Sequence, residues 1–160
     1  MCIRDSIKGV DIETAPFPGF PTDLQAPFTA LMTIANGESK ITETIFENRM
    51  NHIYLLNEMG ASIKLNKNVA HIKGVKTING MNLVGSDLRS SAALIIAGII
   101  AKGISRVYGL EHLDRGYENF ESKLKILGIK ITREFNKKTP TNKEFKTSSD
   151  PADIPRCEAA

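Results

Sequence analysis

The sequence has no tryptophan and only two cysteines, Cys2 and Cys157, which stand near its opposite ends. Cysteines so few and so placed do not indicate the disulfide framework that small secreted domains use in place of a large core. The three histidines, His52, His71 and His112, lack the spacing of a metal site. We therefore expect neither disulfides nor a metal to hold this fold.

Long hydrophobic runs are also missing. The longest, residues 92–101, is far shorter than the roughly 20 apolar residues of a membrane-spanning helix. The net charge is only +3 and aromatic residues make up 6% of the chain, with no basic stripe that interleaves aromatics. We predict a cytoplasmic protein that neither inserts into a membrane nor binds nucleic acid, and whose small positive excess suits a small anionic ligand.

Several catalytic motifs are absent as well: G-x-x-x-x-G-K-[ST], G-x-G-x-x-G, G-x-S-x-G and C-x-x-C do not occur. Nucleotide hydrolysis, hydride transfer and triad hydrolysis therefore have no support. What is present is a chain of 160 residues with 41% hydrophobic content. That is enough for one ordinary domain with a packed core.

The chain contains an internal repeat, because one pattern of Asp-Leu, apolar helix, Gly, short β-type stretch, Arg, helix and Gly occurs twice. Four pairs of identical residues mark it at nearly constant separation: Asp23 and Asp87, Gly37 and Gly103, Arg49 and Arg115, Gly60 and Gly128. Such self-similarity is the signature of repeated supersecondary units. We assign the units to about 22–85 and 86–133, with a non-family leader at 1–6 and a disordered polar tail at 134–160.

The pattern predicts an α/β fold in which the helices, not the strands, carry the continuous apolar runs and are buried. Thr22 and Gln25 form a T-x-x-Q capping box for the first helix. Ser86 is the expected N-cap of the second long helix. The first helix has a predicted apolar stripe of Leu24, Phe28, Leu31, Met32 and Ala35. Further predicted elements are a helix at about 48–59, a helix near 117–127 and a strand at 129–131.

Asp23 and Asp87 each fall at a predicted helix start. Compensation of the helix dipole is the ordinary role of such an aspartate. The three prolines between residues 16 and 21 force a rigid extended loop before Asp23. A carboxylate fixed at such a junction is well placed as a general base.

Arg49 and Arg115 each follow a β-type stretch and precede a helix, where a guanidinium could bind a carboxylate or phosphate. Ordinary salt bridges, for example with Glu47 or Asp114, are the alternative. Arg89, taken alone, would be interpreted as solvated.

Four motifs taken together resemble the C-terminal part of the UDP-N-acetylglucosamine 1-carboxyvinyltransferase family, also called UDP-N-acetylglucosamine enolpyruvyl transferases. They are the segments 14–25 (TAPFPGFPTDLQ), 42–49 (TETIFENR), 86–89 (SDLR) and 113–118 (LDRGYE). The likeness covers about residues 7–133. It implies a lobe of an inside-out α/β barrel, built of βαβαββ units around buried helices and incomplete here.

The resemblance implies transfer of the enolpyruvyl group of phosphoenolpyruvate to the 3′-hydroxyl of UDP-N-acetylglucosamine, the first committed step of peptidoglycan synthesis, without a cofactor. It also implies roles for five residues. Arg49, the repeat counterpart of Arg115, is taken as a sixth, substrate-binding residue. Asp23 matches the proposed base, Asp87 a second active-site acid, Arg115 a phosphoenolpyruvate ligand, Ile45 a contact of the UDP-sugar, and Arg89 an arginine that joins the site on closure.

The family's cysteine loop, phosphate-binding lysine and N-terminal lobe have no counterpart in this sequence, and neither Cys2 nor Cys157 matches the cysteine. We therefore expect a part-chain that is inactive alone and whose missing partner is that lobe. The alternative is a non-catalytic module that binds a ligand or partner and kept only the repeat fold.

Overall fold

The computed structural model describes residues 7–134. The predicted leader at 1–6, nearly all of the predicted tail and both cysteines lie outside the described residues. The helices and strands follow in the order β1 (Ile12–Glu13), α1 (Gln25–Met32), β2 (Glu38–Thr42), α2 (His52–Glu58), β3 (Ser62–Asn66), β4 (Val69–Lys73), β5 (Asn82–Val84), α3 (Leu88–Ile100), β6 (Arg106–Tyr108), α4 (Leu110–Leu113) and α5 (Phe120–Ile126). A 3-10 turn, Thr22–Leu24, precedes α1.

The strands form two sheets. The first has four strands in the order β1-β2-β4-β3, with β1 and β2 parallel and the other pairs antiparallel. The second is the parallel pair of β5 and β6. Each parallel pair is joined through a helix, α1 in one case and α3 in the other, as parallel connections require.

This pairing supports the repeat but moves its boundary. β1-α1-β2 and β5-α3-β6 are equivalent, and each is extended by an isolated parallel bridge, Lys8 to Asn36 and Asn79 to Lys102. The boundary drawn at 85 and 86 assigned β5 to the first unit, whereas its hydrogen bonds place it in the second. The first unit is βαβαββ, and the second lacks the closing strands among the described residues because 129–131 is not a strand.

The repeated glycines explain why the elements end where they do. Gly37 and Gly103 have φ values of 101° and 99°, and Gly60 and Gly128 have values of 98° and 82°. Residues with a Cβ rarely adopt these angles, so glycine is the residue that lets the chain reverse after each helix. The same turn thus occurs at the same place in both units.

The core lies around α3, which packs against α1 and α2. Residues of α3 from Ser90 to Ala97 are buried with one exception, which confirms the predicted buried helix. α1 and α3 both contribute alanines to the same cluster: Ala26, Ala30, Ala93 and Ala97. Small side chains at a helix contact shorten the distance between the helix axes. None of the described helices is long and apolar enough to cross a membrane.

The predicted apolar stripe of α1 packs on the core at every member except Leu24: Met32 and Ala35 are buried, and Phe28 and Leu31 are partly buried against the same cluster. The buried residues of the helix are Gln25, Ala26, Thr29, Ala30 and Met32. Leu24, by contrast, is 49% exposed. The stripe omitted Ala26 and Ala30, which share a core cluster with Ala93 and Ala97 of α3, where the close contact of the two helices favours small side chains.

The predicted helix starts also need correction. α2 begins at His52, not near residue 48, because Asn48 adopts a left-handed conformation with φ of 61°. α5 begins at Phe120, three residues later than predicted.

Candidate functional site

The proline-rich loop runs from Thr14, after β1, to Pro21, before the 3-10 turn. Two backbone bonds close it, from the Ala15 N–H to the Phe20 carbonyl and from the Gly19 N–H to the Pro16 carbonyl. The corresponding connection between β5 and α3 is far shorter, spanning only 85–87. The loop therefore distinguishes the first unit from the second and leads into the 3-10 turn before α1 that carries Asp23.

Asp23 contacts two arginines, one from each unit. Arg89 donates through Nε to Asp23 Oδ1 at 2.6 Å, and its Nη2 lies 2.6 Å from the same oxygen. Arg49 Nη1 lies 3.8 Å from Asp23 Oδ1. The Asp23 side chain is still 68% exposed, so the carboxylate faces solvent between two cations. In such an arrangement the carboxylate can accept a proton from a hydroxyl, and the two guanidinium groups beside it can bind an anion.

Arg49 contacts Thr22 and Phe46 as well as Asp23. Its Nη1 donates to the Thr22 hydroxyl at 3.1 Å, and its guanidinium carbon lies 3.5 Å from the centre of the Phe46 ring. Among residues 7–134, Arg49 forms its ion pair with Asp23 and not with Glu47, the partner given as an example of an ordinary salt bridge.

The two predicted N-caps are wrong. Thr22 caps no helix, because its hydroxyl donates to the Glu43 carboxylate at 2.7 Å, and Gln25 bonds to Thr29 and Met50. At α3 the N-cap is Asp87 itself, which accepts from the backbone N–H groups of Arg89 and Ser90. Ser86 only bonds to the Asp87 carboxylate.

Asp87 therefore has its oxygens largely occupied. Burial raises its pKa, but the bonds from Ser90, Arg89 and Ser86 outweigh burial and hold the pKa below the ordinary value. The Asp87 carboxylate is therefore an anion that orients the start of α3. Its role as a second active-site acid stays a prediction.

Arg115 is not brought into the cluster. It is exposed between α4 and α5, and no ion pair or hydrogen bond of its side chain occurs within residues 7–134. A salt bridge with Asp114 is also excluded, because Asp114 binds Arg133 in bidentate fashion. The neighbouring Gly116 packs against Leu88, so the Arg115 loop lies beside the start of α3. Its role in binding phosphoenolpyruvate remains a prediction.

Glu43 and His52 belong to the site and were missed by sequence reasoning. Glu43 is fully buried and bonds to Thr22, beside Asp23, and to the N–H of Ile45, which is 37% exposed. The sequence signal for Glu43 was alternation along β2 and the residue after it: Ser39, Ile41 and Glu43 all face inward.

His52 lies beneath Arg49 and beside Asp87. Burial lowers the pKa of its imidazole to about 4, against weaker opposing effects of the Asp87 charge and a hydrogen bond with the Arg49 backbone. Nε2 has no hydrogen-bond partner among the described residues. The sequence signal was its place on the buried face of α2 with Ile53 and Leu56.

Comparison with known proteins places this geometry in context. The model of the EPSP synthase (3-phosphoshikimate 1-carboxyvinyltransferase) family matches residues 3–124. The chain is 85% identical over 156 residues to UDP-N-acetylglucosamine 1-carboxyvinyltransferase of Prochlorococcus marinus (strain MIT 9301), covering 98% of this chain and 34% of that relative. It is 55% identical over 131 residues to the protein of the same name from Synechocystis sp., covering 82% of this chain and 30% of that relative.

A solved structure shares the fold. The enolpyruvyl transferase NikO from Streptomyces tendae superposes with a TM-score of 0.71 at 24% sequence identity, over 80% of this chain and 30% of that one. The chain thus spans about a third of the length of the curated relatives it matches.

Proposed function

The chain belongs to the EPSP synthase (3-phosphoshikimate 1-carboxyvinyltransferase) family, and from this premise we propose that it forms part of an enzyme that transfers an enolpyruvyl group. The donor is phosphoenolpyruvate and the acceptor is the 3′-hydroxyl of UDP-N-acetylglucosamine, a reaction of peptidoglycan synthesis. The choice of acceptor is supported by the name of the relatives that are 85% and 55% identical. The observation that carries the proposal is the placement of the Asp23 carboxylate against Arg89 and Arg49.

The chemistry requires a base and cations in one place. Asp23 takes the proton of the sugar hydroxyl, whose oxygen then bonds to the substituted alkene carbon of phosphoenolpyruvate. The methylene carbon gains a proton from a donor outside this chain. Loss of a proton from that methyl group then expels inorganic phosphate and restores the double bond. Arg49, Arg89 and Arg115 supply positive charge for the carboxylate and phosphate.

The test is to complete the chain. We would replace the matching third of the Prochlorococcus marinus MIT 9301 relative with these 160 residues, here called the completed enzyme. It should release phosphate from phosphoenolpyruvate only when UDP-N-acetylglucosamine is present. The 160-residue chain alone should release none. A completed enzyme that folds and stays inactive would instead favour the non-catalytic module.

Arg115→Lys tests the predicted anion contact. Lysine keeps the charge and loses the planar fork, so we expect the KM for phosphoenolpyruvate to rise about tenfold while kcat changes little. Steady-state kinetics of the completed enzyme would measure it, with Arg106→Lys, an exposed arginine of β6, as the control. An unchanged KM would remove Arg115 from the substrate site.

A further inference from the structure

Glu43 is a fully buried carboxylate whose negative charge is stabilised by neutral hydrogen-bond donors. Burial of a carboxylate is costly unless hydrogen bonds replace its water shell. Four donors do so: the Thr14 hydroxyl at 2.8 Å, the Thr22 hydroxyl at 2.7 Å, the Ile45 N–H at 3.0 Å and the Phe46 N–H at 3.2 Å. No lysine or arginine pairs with Glu43 within residues 7–134.

These donors come from two separate segments. Thr14 and Thr22 stand at the two ends of the proline-rich loop, and Ile45 and Phe46 open the segment that leads to Arg49. Glu43 therefore joins the loop that carries Asp23 to the loop that carries Arg49.

The Thr22 hydroxyl sets the direction of the contact with Arg49. A hydroxyl has one proton, and an ionised carboxylate can only accept. Since Thr22 gives its proton to Glu43, a lone pair of the hydroxyl oxygen is left for Arg49 Nη1, which donates to it at 3.1 Å. Burial raises the pKa of Glu43, but the bonds from Thr22, Thr14, Ile45 and Phe46 hold it below the ordinary value, so the carboxylate is ionised at neutral pH.

We propose that Glu43 is a positioning residue which, through the Thr22 hydroxyl, holds the Arg49 guanidinium in place beside Asp23. Glu43 touches no substrate itself. It keeps the anion-binding arginine oriented before an anion arrives, which lowers the ordering cost of binding. In its kinetic consequence this inference rests on the proposed function.

Two substitutions break the arrangement in different ways. Glu43→Gln keeps the size but places an amide N–H against Thr22, so the hydroxyl proton is no longer drawn away from Arg49. Thr22→Val removes the hydroxyl and keeps the shape. Thr22→Ser keeps the hydroxyl and should behave like the unsubstituted protein. Thr33→Val is the control for losing a buried hydroxyl, because Thr33 is fully buried and its hydroxyl donates to the Ala30 carbonyl of α1, away from the site.

The first measurement needs no activity. In nitrogen-edited NMR of the 160-residue chain, the Arg49 side-chain N–H signals should be resolved and slowly exchanging. In Glu43→Gln and Thr22→Val they should exchange at least tenfold faster, whereas Thr22→Ser and Thr33→Val should match the parent. Arg89 is the internal reference, since it bonds to Asp23 and not to Thr22. Unchanged Arg49 signals in both altered chains would overturn the proposal.

The second measurement uses the completed enzyme. Glu43→Gln and Thr22→Val should each raise the KM for phosphoenolpyruvate about tenfold with kcat within about threefold, and the double variant should be no worse than either alone. If the unsubstituted completed enzyme is active and Glu43→Gln leaves its KM for phosphoenolpyruvate unchanged, the positioning role is refuted. If the parent itself releases no phosphate, the proposed function fails, and the NMR result alone decides on Glu43.

Discussion

Asp23→Asn should lower kcat of the completed enzyme by about 100-fold or more, the usual scale for losing a positioned base. Asparagine keeps the size of the side chain but cannot accept the hydroxyl proton. Because Asp23 is 68% exposed and its partners among residues 7–134 are Arg89 and Arg49, the substitution leaves the buried core intact. The KM for UDP-N-acetylglucosamine should therefore change little compared with kcat.

The matched control is Asp11→Asn. Asp11 is also exposed, and it accepts a bond from the Lys40 N–H at 2.7 Å, so it shares the chemistry of Asp23 without its arginines. Asp11→Asn should keep the parent kcat. An Asp23→Asn enzyme that works at nearly full rate with saturating substrates would show that another group takes the proton.

His52 should make the fold sensitive to mild acid. Its pKa is about 4 in the folded protein and about 6.5 when exposed, and each unit of difference is worth about 1.4 kcal/mol. The unfolded chain takes up a proton as the pH falls through 6.5, while the folded chain does not until about 4. The contribution of His52 is thus complete above pH 6.5 and is lost between 6.5 and 4. The free energy of unfolding should fall by about 3 kcal/mol over that range.

Denaturant unfolding of the 160-residue chain at several pH values would measure this. His52→Gln should flatten the slope between pH 6.5 and 4.5, even if its absolute stability is lower. His71→Gln is the control, since His71 is an exposed residue of β4. Glu43 and Asp87, whose pKa values are lowered, lose their contributions only below their ordinary values, so they act at more acid pH. If the free energy of unfolding of the His52→Gln chain fell with pH as steeply as that of the parent chain, the pH dependence would not come from His52.

The elements that depend on local chemistry could be predicted from the sequence. The repeat, the buried α3 and the turns at Gly37 and Gly103 follow from periodicity and from glycine's conformational freedom. The role of Thr22 could not be predicted, because the residue that accepts its hydroxyl proton is Glu43, 21 residues further along the chain. A hydroxyl with a buried carboxylate beside it does not turn back to cap a helix.

The buried face of α1 was predicted incompletely for a related reason. Of the expected apolar residues only Leu24 is exposed, but Ala26 and Ala30 were omitted, and they are buried because the neighbour is another helix at close range. Periodicity reports that a helix has a buried face. The size of the residues on that face depends on what packs there, which only the assembled fold determines.

The site was predicted in part. Resemblance selected Asp23 and Arg89, and the repeat pattern selected Arg49. The structure brings these three together, although Asp23 and Arg89 are 66 residues apart in sequence. Arg115 was selected by the same reasoning and does not join them in the part of the chain that the structure describes. Glu43 and His52 were missed although their spacing places both on buried faces, because the same spacing is typical of core residues and does not indicate a role in a site.

The contact between Asp23 and Arg89 also makes the two halves of this chain chemically interdependent. The first half alone would retain the proline-rich loop, Glu43 and Thr22, but its carboxylate would keep only Arg49 at 3.8 Å. The second half alone would carry an arginine with nothing to orient it. A protein divided between them could regain this pair only by reassociation, so the pair would report on whether two separately made halves had docked in their native arrangement.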